Sequence, residues 1–330
     1  MTTQTRRTAA RDRFQVLSLD GGGIRGIFSA ALLAGLEKDL DRPIIDHFDL
    51  VVGTSTGGLV AAALGAGMAM DEIVELYVSE RTTIFPGPRR LRAIRQLARP
   101  KYMANVLHAL LRQVFGSRLL GESRVPLVIP SYDLGENNVY LFKTPHHERL
   151  KRDWRVPLWQ VTAATTAAPT FFRAFSLPDD HVRLVDGGVW ANNPAMVGVV
   201  EAVSMFGQPL DTIRVLSVGT TADPRTRKRK LDNGGLVQWG RGPNVVDVLL
   251  AGQSVGAFAQ VRHLIPREHA YRLDPPAPAG LTGMDLADAR DLKAKAAFHS
   301  RSFCPTFEST FADHTAGPYQ PWYGPNAKSG

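Results

Sequence analysis

The sequence FDLVVGTSTGG, residues 48–58, decides the fold class of this chain. Its first six residues predict a buried strand, and the small residues from Ser55 to Gly65 predict a helix able to pack closely on a sheet. Between them lies a G-x-S-x-G pattern, which in a strand-to-helix context is typical of a nucleophile elbow. Ser55 is therefore the candidate nucleophile, and its turn is formed by Gly53, Thr54, Thr56 and Gly57.

A second glycine-rich turn, LSLDGGGIRG at residues 17–26, follows a predicted strand at Phe14–Leu19 and precedes a predicted helix at Ile24–Leu40. Its G-x-G-x-x-G spacing fits a dinucleotide-binding turn, but it also fits a cradle of backbone N–H groups for a transient anion. Acyl transfer to a serine needs such donors, which favours the second interpretation. We expect the N–H groups around Gly22 and Gly23, with that of Thr56, to be the donors. Side chains in the loop would block the substrate. The candidate oxyanion loop comprises Gly21, Gly22, Gly23, Arg25 and Gly26.

A serine nucleophile needs a base within hydrogen-bond reach. Asp186 follows a predicted strand at Val182–Val185 and precedes Gly187 and Gly188. An isolated Asp-Gly-Gly is more often a turn in which the carboxylate binds backbone amides. With the elbow and the glycine loop in the same chain, we expect Asp186 to meet Ser55 at the carboxyl edge of one sheet.

Alternation of apolar strands and helices continues along the chain and predicts an α/β fold, with a largely parallel central sheet and helices on both faces. Further strands are predicted at 125–129, 138–143 and 213–218, and further helices at 71–81, 157–168, from about 194, 245–264 and 284–300. We expect a flexible basic segment at 1–13, a catalytic core at 14–220 and an extension at 221–330 packed on that core, with an irregular last thirty residues.

Three blocks in order, DGGGIRG at residue 20, GTSTGG at residue 53 and DGG at residue 186, resemble the signature blocks of patatin-like phospholipases. The resemblance implies a three-layer patatin-like fold and a Ser55–Asp186 catalytic dyad without metal or cofactor. It also implies that Arg25 supports the oxyanion loop. The implied activity is hydrolysis of ester bonds in membrane glycerophospholipids.

The amino-acid composition limits the classes of partner and the cellular location that we expect for this protein. The formal net charge of +8 favours anionic partners, yet no zinc spacing or RNA-recognition block is present, so we expect phospholipid and no DNA or RNA. The single cysteine, Cys304, excludes an intramolecular disulfide. No signal-peptide pattern or membrane-spanning stretch is apparent, and we expect a cytoplasmic protein that acts peripherally at the inner membrane surface.

Two other enzyme classes stay open at this point. An ordinary α/β-hydrolase would use Ser55, Asp186 and a later histidine, among His263, His269, His299 and His314. A Rossmann oxidoreductase would need an acidic residue at the end of the second strand, where Ser55 lies instead.

The protein is also similar to bacterial patatin-like effectors of anti-phage systems, which cyclic dinucleotides such as cyclic GMP-AMP activate. Arg225–Lys230 could bind such a ligand or be a solvated loop, and the sequence is compatible with an oligomer and with a constitutive lipase.

Overall fold

The computed structural model describes residues 12–84, 102–177, 182–222, 232, 234, 235, 239, 244–277 and 288–327. The basic runs at 86–101 and 225–230, and most of the predicted N-terminal segment, lie outside these residues. An eight-stranded sheet has the order β5-β6-β3-β2-β1-β7-β8, with β4 paired to β3. The strands are β1 Phe14–Leu19, β2 Leu50–Gly53, β3 Leu127–Asp133, β4 Asn138–Lys143, β5 Phe175–Ser176, β6 Arg183–Asp186, β7 Ile213–Val218 and β8 Ala270–Leu273.

The five central strands, β3-β2-β1-β7-β8, are parallel, whereas β4 and β6 run antiparallel to β3, and β5 runs antiparallel to β6. One edge of β3 pairs with β4. Its other edge pairs first with β2, through Leu127 and Val128, and then with β6, through residues 131–133. Because β2 and β6 run toward each other along this edge, their carboxyl ends meet.

Helices cover both faces of the sheet and complete three layers. Alternation along β1 assigns its side chains to two cores: Leu17 and Leu19 lie in one, and Phe14 and Val16 in the other. The first core includes α1, α2, α3, α4, α5 and α9, and the second includes α7 and α8. The helices are α1 Gly26–Leu40, α2 Thr56–Gly65, α3 Met70–Ile84, α4 Ala104–Phe115, α5 Leu158–Thr165, α6 Gly188–Ala191, α7 Ala195–Ser204, α8 Asn244–Leu264 and α9 Ala289–Phe307. The predicted α/β class, with a largely parallel sheet and helices on both faces, is confirmed.

The chain beyond residue 220 differs most from the sequence prediction. β8 extends the parallel sheet beside β7, and α9 packs on α1. The expectation of an irregular last thirty residues is wrong for residues 301–312, since α9 continues to Phe307 and a π-helical turn follows at Glu308–Ala312. Phe303, Phe307 and Phe311 recur every four residues and are all buried, which supports this helical continuation.

The described helices differ from membrane-spanning helices in length and composition. None of them combines the length and the apolarity needed to cross a bilayer.

Candidate active site

The nucleophile turn joins β2 to α2 and holds Ser55 at φ 55° and ψ −121°. This strained left-handed conformation costs on the order of 1–3 kcal/mol and is kept by its surroundings. A Cβ at Gly53 would lie 2.9 Å from the Gly58 nitrogen, and one at Gly57 would lie 2.8 Å from the Asp20 oxygen. Both glycines are therefore required by close backbone packing. The Ser55 N–H donates to Thr165 Oγ1 at 2.9 Å, which fixes the turn from the side of α5.

The hydroxyl of Ser55 is hydrogen-bonded to the carboxylate of Asp186. Ser55 Oγ donates to Asp186 Oδ2 at 2.6 Å, and the Gly188 N–H donates to Asp186 Oδ1 at 2.7 Å. The meeting of the carboxyl ends of β2 and β6 creates this contact, so Asp186 reaches Ser55 from an antiparallel strand. Gly187 packs on β3, where an added Cβ would lie 2.8 Å from Pro130 Cβ.

The electrostatics of this pair suit proton transfer near neutral pH. Burial raises the pKa of the Asp186 carboxyl to about 6, while the hydrogen bonds from Ser55 and Gly188 act in the opposite direction. A carboxylate with such a pKa is largely ionised at pH 7 and can still accept a proton. Among the described residues, no histidine hydrogen-bonds to Ser55 or Asp186; His314 Nε2 instead lies 2.7 Å from Asp49 Oδ2.

The three consecutive glycines of the first turn pack against other parts of the protein. A Cβ at Gly21 would lie 3.2 Å from Ser55 Cβ, and one at Gly22 would lie within 3.0 Å of three side-chain atoms of Thr220. Gly23 has a left-handed φ of 61°, which disfavours a side chain. The sequence predicts glycines there because side chains would block the substrate. The structure adds a second reason, which is that Gly21 lies too close to the nucleophile turn, and Gly22 too close to Thr220, for side chains.

The N–H groups of this loop are not equivalent. Gly21 donates to the Asn192 carbonyl at 3.0 Å, and Gly22 donates to Thr56 Oγ1 at 3.2 Å. In the part of the chain that the structure describes, the N–H groups of Gly23 and Thr56 have no protein partner and remain available to an oxyanion. Arg25 Nη1 donates to the Thr221 carbonyl at 2.9 Å, which ties the end of the loop to the segment after β7. A Cβ at Gly26 would lie 3.0 Å from Thr56 Cβ.

Comparison with known proteins identifies the family. The model described as "Patatin-like phospholipase" matches residues 17–199, which contain the glycine loop, the nucleophile turn and Asp186. The chain belongs to the patatin-like phospholipase family. The resemblance predicted from the three sequence blocks is thereby confirmed, as is the patatin-like fold.

Similar proteins come from bacteria and plants. A Pseudomonas aeruginosa protein named cGAMP-activated phospholipase is 31% identical over 267 residues, which cover 79% of this patatin-like chain and 78% of that protein. A Vibrio cholerae protein of the same name is 30% identical over 301 residues, with 79% and 84% covered. Patatin-like protein 2 of rice (Oryza sativa subsp. indica) is 38% identical over 206 residues, or 55% of this chain. The match spans about half of the rice protein, 51% of its length.

Sequence reasoning missed a charged cluster behind the patatin-like glycine loop. Asp20, which immediately precedes the loop, is buried, and Arg272 Nη2 donates to its Oδ2 at 2.7 Å. Arg272 also donates to Ser217 Oγ at 2.8 Å and to Asp274 Oδ2 at 2.7 Å. Burial raises the pKa of the Asp20 carboxyl to about 7, and Arg272 limits that rise. No signal pointed to Arg272, because it lies on β8, a strand that the sequence pattern did not reveal.

Three further residues of the patatin-like site were also not anticipated: Thr165, Asn192 and Thr220. Each supports the catalytic segments through backbone groups. Thr165 accepts from the Ser55 N–H, the Asn192 carbonyl accepts from Gly21, and Thr220 Oγ1 donates to the Gly21 carbonyl at 3.2 Å. These contacts join residues far apart in sequence, so no local pattern could indicate them.

Proposed function

We propose that this chain is a serine acyl hydrolase of phospholipase A type that cleaves ester bonds of membrane glycerophospholipids. The observation that carries the proposal is the 2.6 Å hydrogen bond from Ser55 Oγ to a buried Asp186 carboxylate, beside the N–H groups of Gly23 and Thr56, which have no acceptor among the described residues. Membership of the family and the names of the bacterial relatives support phospholipid as the substrate class.

In the first half-reaction, Asp186 accepts the hydroxyl proton as Ser55 Oγ attacks the acyl carbonyl carbon. The carbonyl electron pair moves onto oxygen, and the N–H groups of Gly23 and Thr56 stabilise the resulting oxyanion. Loss of one such donor costs about 3 kcal/mol in other acyl-transfer enzymes. The intermediate collapses by expelling the lysophospholipid alkoxide, which takes the proton from Asp186. An acyl-Ser55 ester remains.

In the second half-reaction, Asp186 accepts a proton from water as the water oxygen attacks the acyl carbon. The same two donors hold the second oxyanion. Collapse breaks the bond to Ser55 Oγ, which recovers its proton from Asp186. Fatty acid leaves, and the resting hydrogen bond between Ser55 and Asp186 forms again.

We further propose that a cyclic dinucleotide such as cyclic GMP-AMP activates this hydrolysis, as part of anti-phage defence at the inner membrane surface. Relatives named cGAMP-activated phospholipase, about 31% identical over more than two thirds of the chain, support this proposal. The basic run Arg225–Lys230, which could bind such a ligand or be a solvated loop, lies outside the described residues.

The test is fatty-acid release from vesicles of phosphatidylethanolamine and phosphatidylglycerol, with and without a panel of cyclic dinucleotides. Three proteins are compared: the wild type, Ser55→Ala, and Ser79→Ala as a control at an exposed serine. We expect release that requires Ser55 and tolerates Ser79→Ala. Release only with one nucleotide would support gating, whereas equal release without any would leave a constitutive lipase. A largely active Ser55→Ala protein would refute the mechanism.

A further inference from the structure

Helix α8 has an unusual composition for a surface helix. Its residues 245–259 read VVDVLLAGQSVGAFA and contain one charged side chain, Asp247. At helical spacing, Ser254, Phe258 and Val261 share one face, and all three are buried against the fold. By the same spacing, Asp247 lies on that side of the helix, where it is half-buried. The outer face from 245 to 259 therefore carries no charge.

This outer face is open to solvent. Leu249 is 66% exposed and Val255 is 70% exposed, and Val245 and Val246 are also exposed. None of residues 245–253 is buried, so the first turns of α8 project beyond the packed body while the later turns hold the helix in place. The outer face becomes polar at Arg262 and His263, near the other end of the helix. Solvent-exposed apolar surface of this kind commonly marks an interaction site.

The projecting end of α8 lies on the side of the active site. The helix leads into the amino end of β8, so it runs opposite to the parallel strands and begins beyond their carboxyl edge. At the level of that edge, Asn192 Nδ2 donates to Ser254 Oγ at 3.0 Å, and the Asn193 N–H donates to Gln253 Oε1 at 3.1 Å. Asn192 itself accepts from Gly21 of the oxyanion loop.

A further exposed apolar side chain extends this surface toward the catalytic pair. Val189, three residues after Asp186, is 49% exposed on α6, the helix that contacts α8. We name Val189, Val245, Val246, Leu249 and Val255 together the α8 apolar surface.

We infer that the α8 apolar surface docks this protein on a phospholipid bilayer, with the first turns of α8 entering the headgroup and upper acyl region beside Ser55. The inference rests on the proposed function, because it is the bilayer that holds the substrate. Ser55 is only 6% exposed, so a phospholipid has to leave the bilayer and enter the protein at this edge, whereas a water-soluble ester can reach Ser55 from solution. An uncharged helical face that becomes polar away from the site has the polarity expected of a helix that enters an interface.

Vesicle binding is measured first, separately from catalysis. In a Ser55→Ala background, Val246→Asp/Leu249→Asp is compared with the unmodified surface by flotation with vesicles of phosphatidylethanolamine and phosphatidylglycerol. The matched control is Phe298→Asp, an apolar side chain 62% exposed on α9, across the sheet from α8. We expect binding weakened by at least about tenfold in the double variant, because burying even one Val or Leu side chain shifts an equilibrium by about that factor. Phe298→Asp should bind as before.

Catalysis is then measured with Ser55 restored, with and without cyclic GMP-AMP. The double variant should lose vesicle hydrolysis by about the same factor as binding, while its hydrolysis of a monomeric short-chain ester, p-nitrophenyl butyrate, stays within about twofold. Unchanged vesicle binding would overturn the inference. Equal loss of the vesicle and p-nitrophenyl butyrate hydrolysis rates would also overturn it. A changed oligomeric state in light scattering, with lipid binding intact, would overturn it too, because the surface would then be a contact between copies of the chain. If the wild type hydrolyses neither substrate, the proposed function fails, and flotation of the Ser55→Ala protein still decides the docking.

Discussion

Replacing Gly22 with alanine tests whether close packing of the oxyanion loop is needed for catalysis. Gly22, at φ −176° and ψ 14°, does not lie in the left-handed region that favours glycine, so the test concerns the packing of an added Cβ. Its Cβ would, however, lie within 3.0 Å of three side-chain atoms of Thr220, against an ordinary contact of 3.4–4 Å. The loop must therefore move by roughly 1 Å or distort Thr220. Overpacking of this size costs about 1–3 kcal/mol of stability.

The catalytic effect of this substitution should exceed its effect on folding. Gly23, the next residue, carries the loop N–H that we assign to the oxyanion, and a displacement of about 1 Å can cost about 100-fold in rate. Because this hydrogen bond strengthens only as charge develops, the loss should appear in kcat with little change in KM. The assay is steady-state hydrolysis of p-nitrophenyl butyrate, with urea unfolding to show that the variant is folded.

A second substitution, made at Thr220, tests whether the loss in Gly22→Ala comes from the clash between the added Cβ and Thr220. Thr220→Gly removes all three clashing atoms, so the double variant Gly22→Ala/Thr220→Gly should recover most of kcat. Thr220→Ala keeps the β-carbon and should recover less. Thr220→Gly alone loses the hydrogen bond to the Gly21 carbonyl, worth about 1 kcal/mol. Wild-type kcat in Gly22→Ala, or no recovery in the double variant, would refute the reasoning.

Three further outcomes are expected from the charges of the site. Burial raises the pKa of Asp186 to about 6, so kcat/KM for a monomeric ester should fall about tenfold per pH unit below about pH 6. A flat pH profile of kcat/KM from about pH 5 to 8 would exclude Asp186 as the base. Because that pKa lies above the unfolded value of 3.8, the folded state loses stability as pH rises between the two values. Asp186→Asn removes this cost. Its free energy of unfolding, measured with urea, should therefore exceed the wild-type value by about 3 kcal/mol at pH 7 and equal it below about pH 4. Arg272→Ala, which leaves buried Asp20 without its cation, should cost about 3 kcal/mol in urea unfolding and lower kcat, whereas Arg267→Ala at an exposed position should change neither.

The elements that carry the candidate catalytic pair, Ser55 and Asp186, could be predicted because their signals are local. A buried strand, a G-x-S-x-G turn and a small-residue helix occupy consecutive residues, and steric limits at Gly53 and Gly57 restrict the turn to very few sequences. The direction of β6 in the sheet could not be predicted from its own residues. An apolar tetrapeptide such as RLVD is compatible with parallel or antiparallel pairing, and only its pairing with residues 131–133 of β3 decides between them.

The support of the oxyanion loop could not be predicted, for a related reason. Three glycines in a row indicate that side chains are excluded, but they do not say by what. The excluding groups are Thr220, beyond β7, and Asn192, beyond α6, which the fold brings to the loop from 170 and more residues away along the chain. Arg272 is more distant still and lies on a four-residue strand. Its contact with Asp20 depends on β8 joining the sheet, which in turn depends on the packing of α8.

The three residues Ala191–Asn193 connect the catalytic loops to the part of the protein outside the family match. The Ala191 carbonyl accepts from Thr54 Oγ1 in the nucleophile turn, and the Asn192 carbonyl accepts from Gly21 in the oxyanion loop. Through their other polar groups, Asn192 and Asn193 hold Ser254 and Gln253 on α8. A displacement of α8 relative to the sheet would therefore strain the hydrogen bonds that place both loops. In this fold, the geometry of a candidate site formed by residues 20–188 is fixed in part by a helix that begins at residue 244, so the proposed lipid-docking surface and the proposed catalytic groups share one set of contacts.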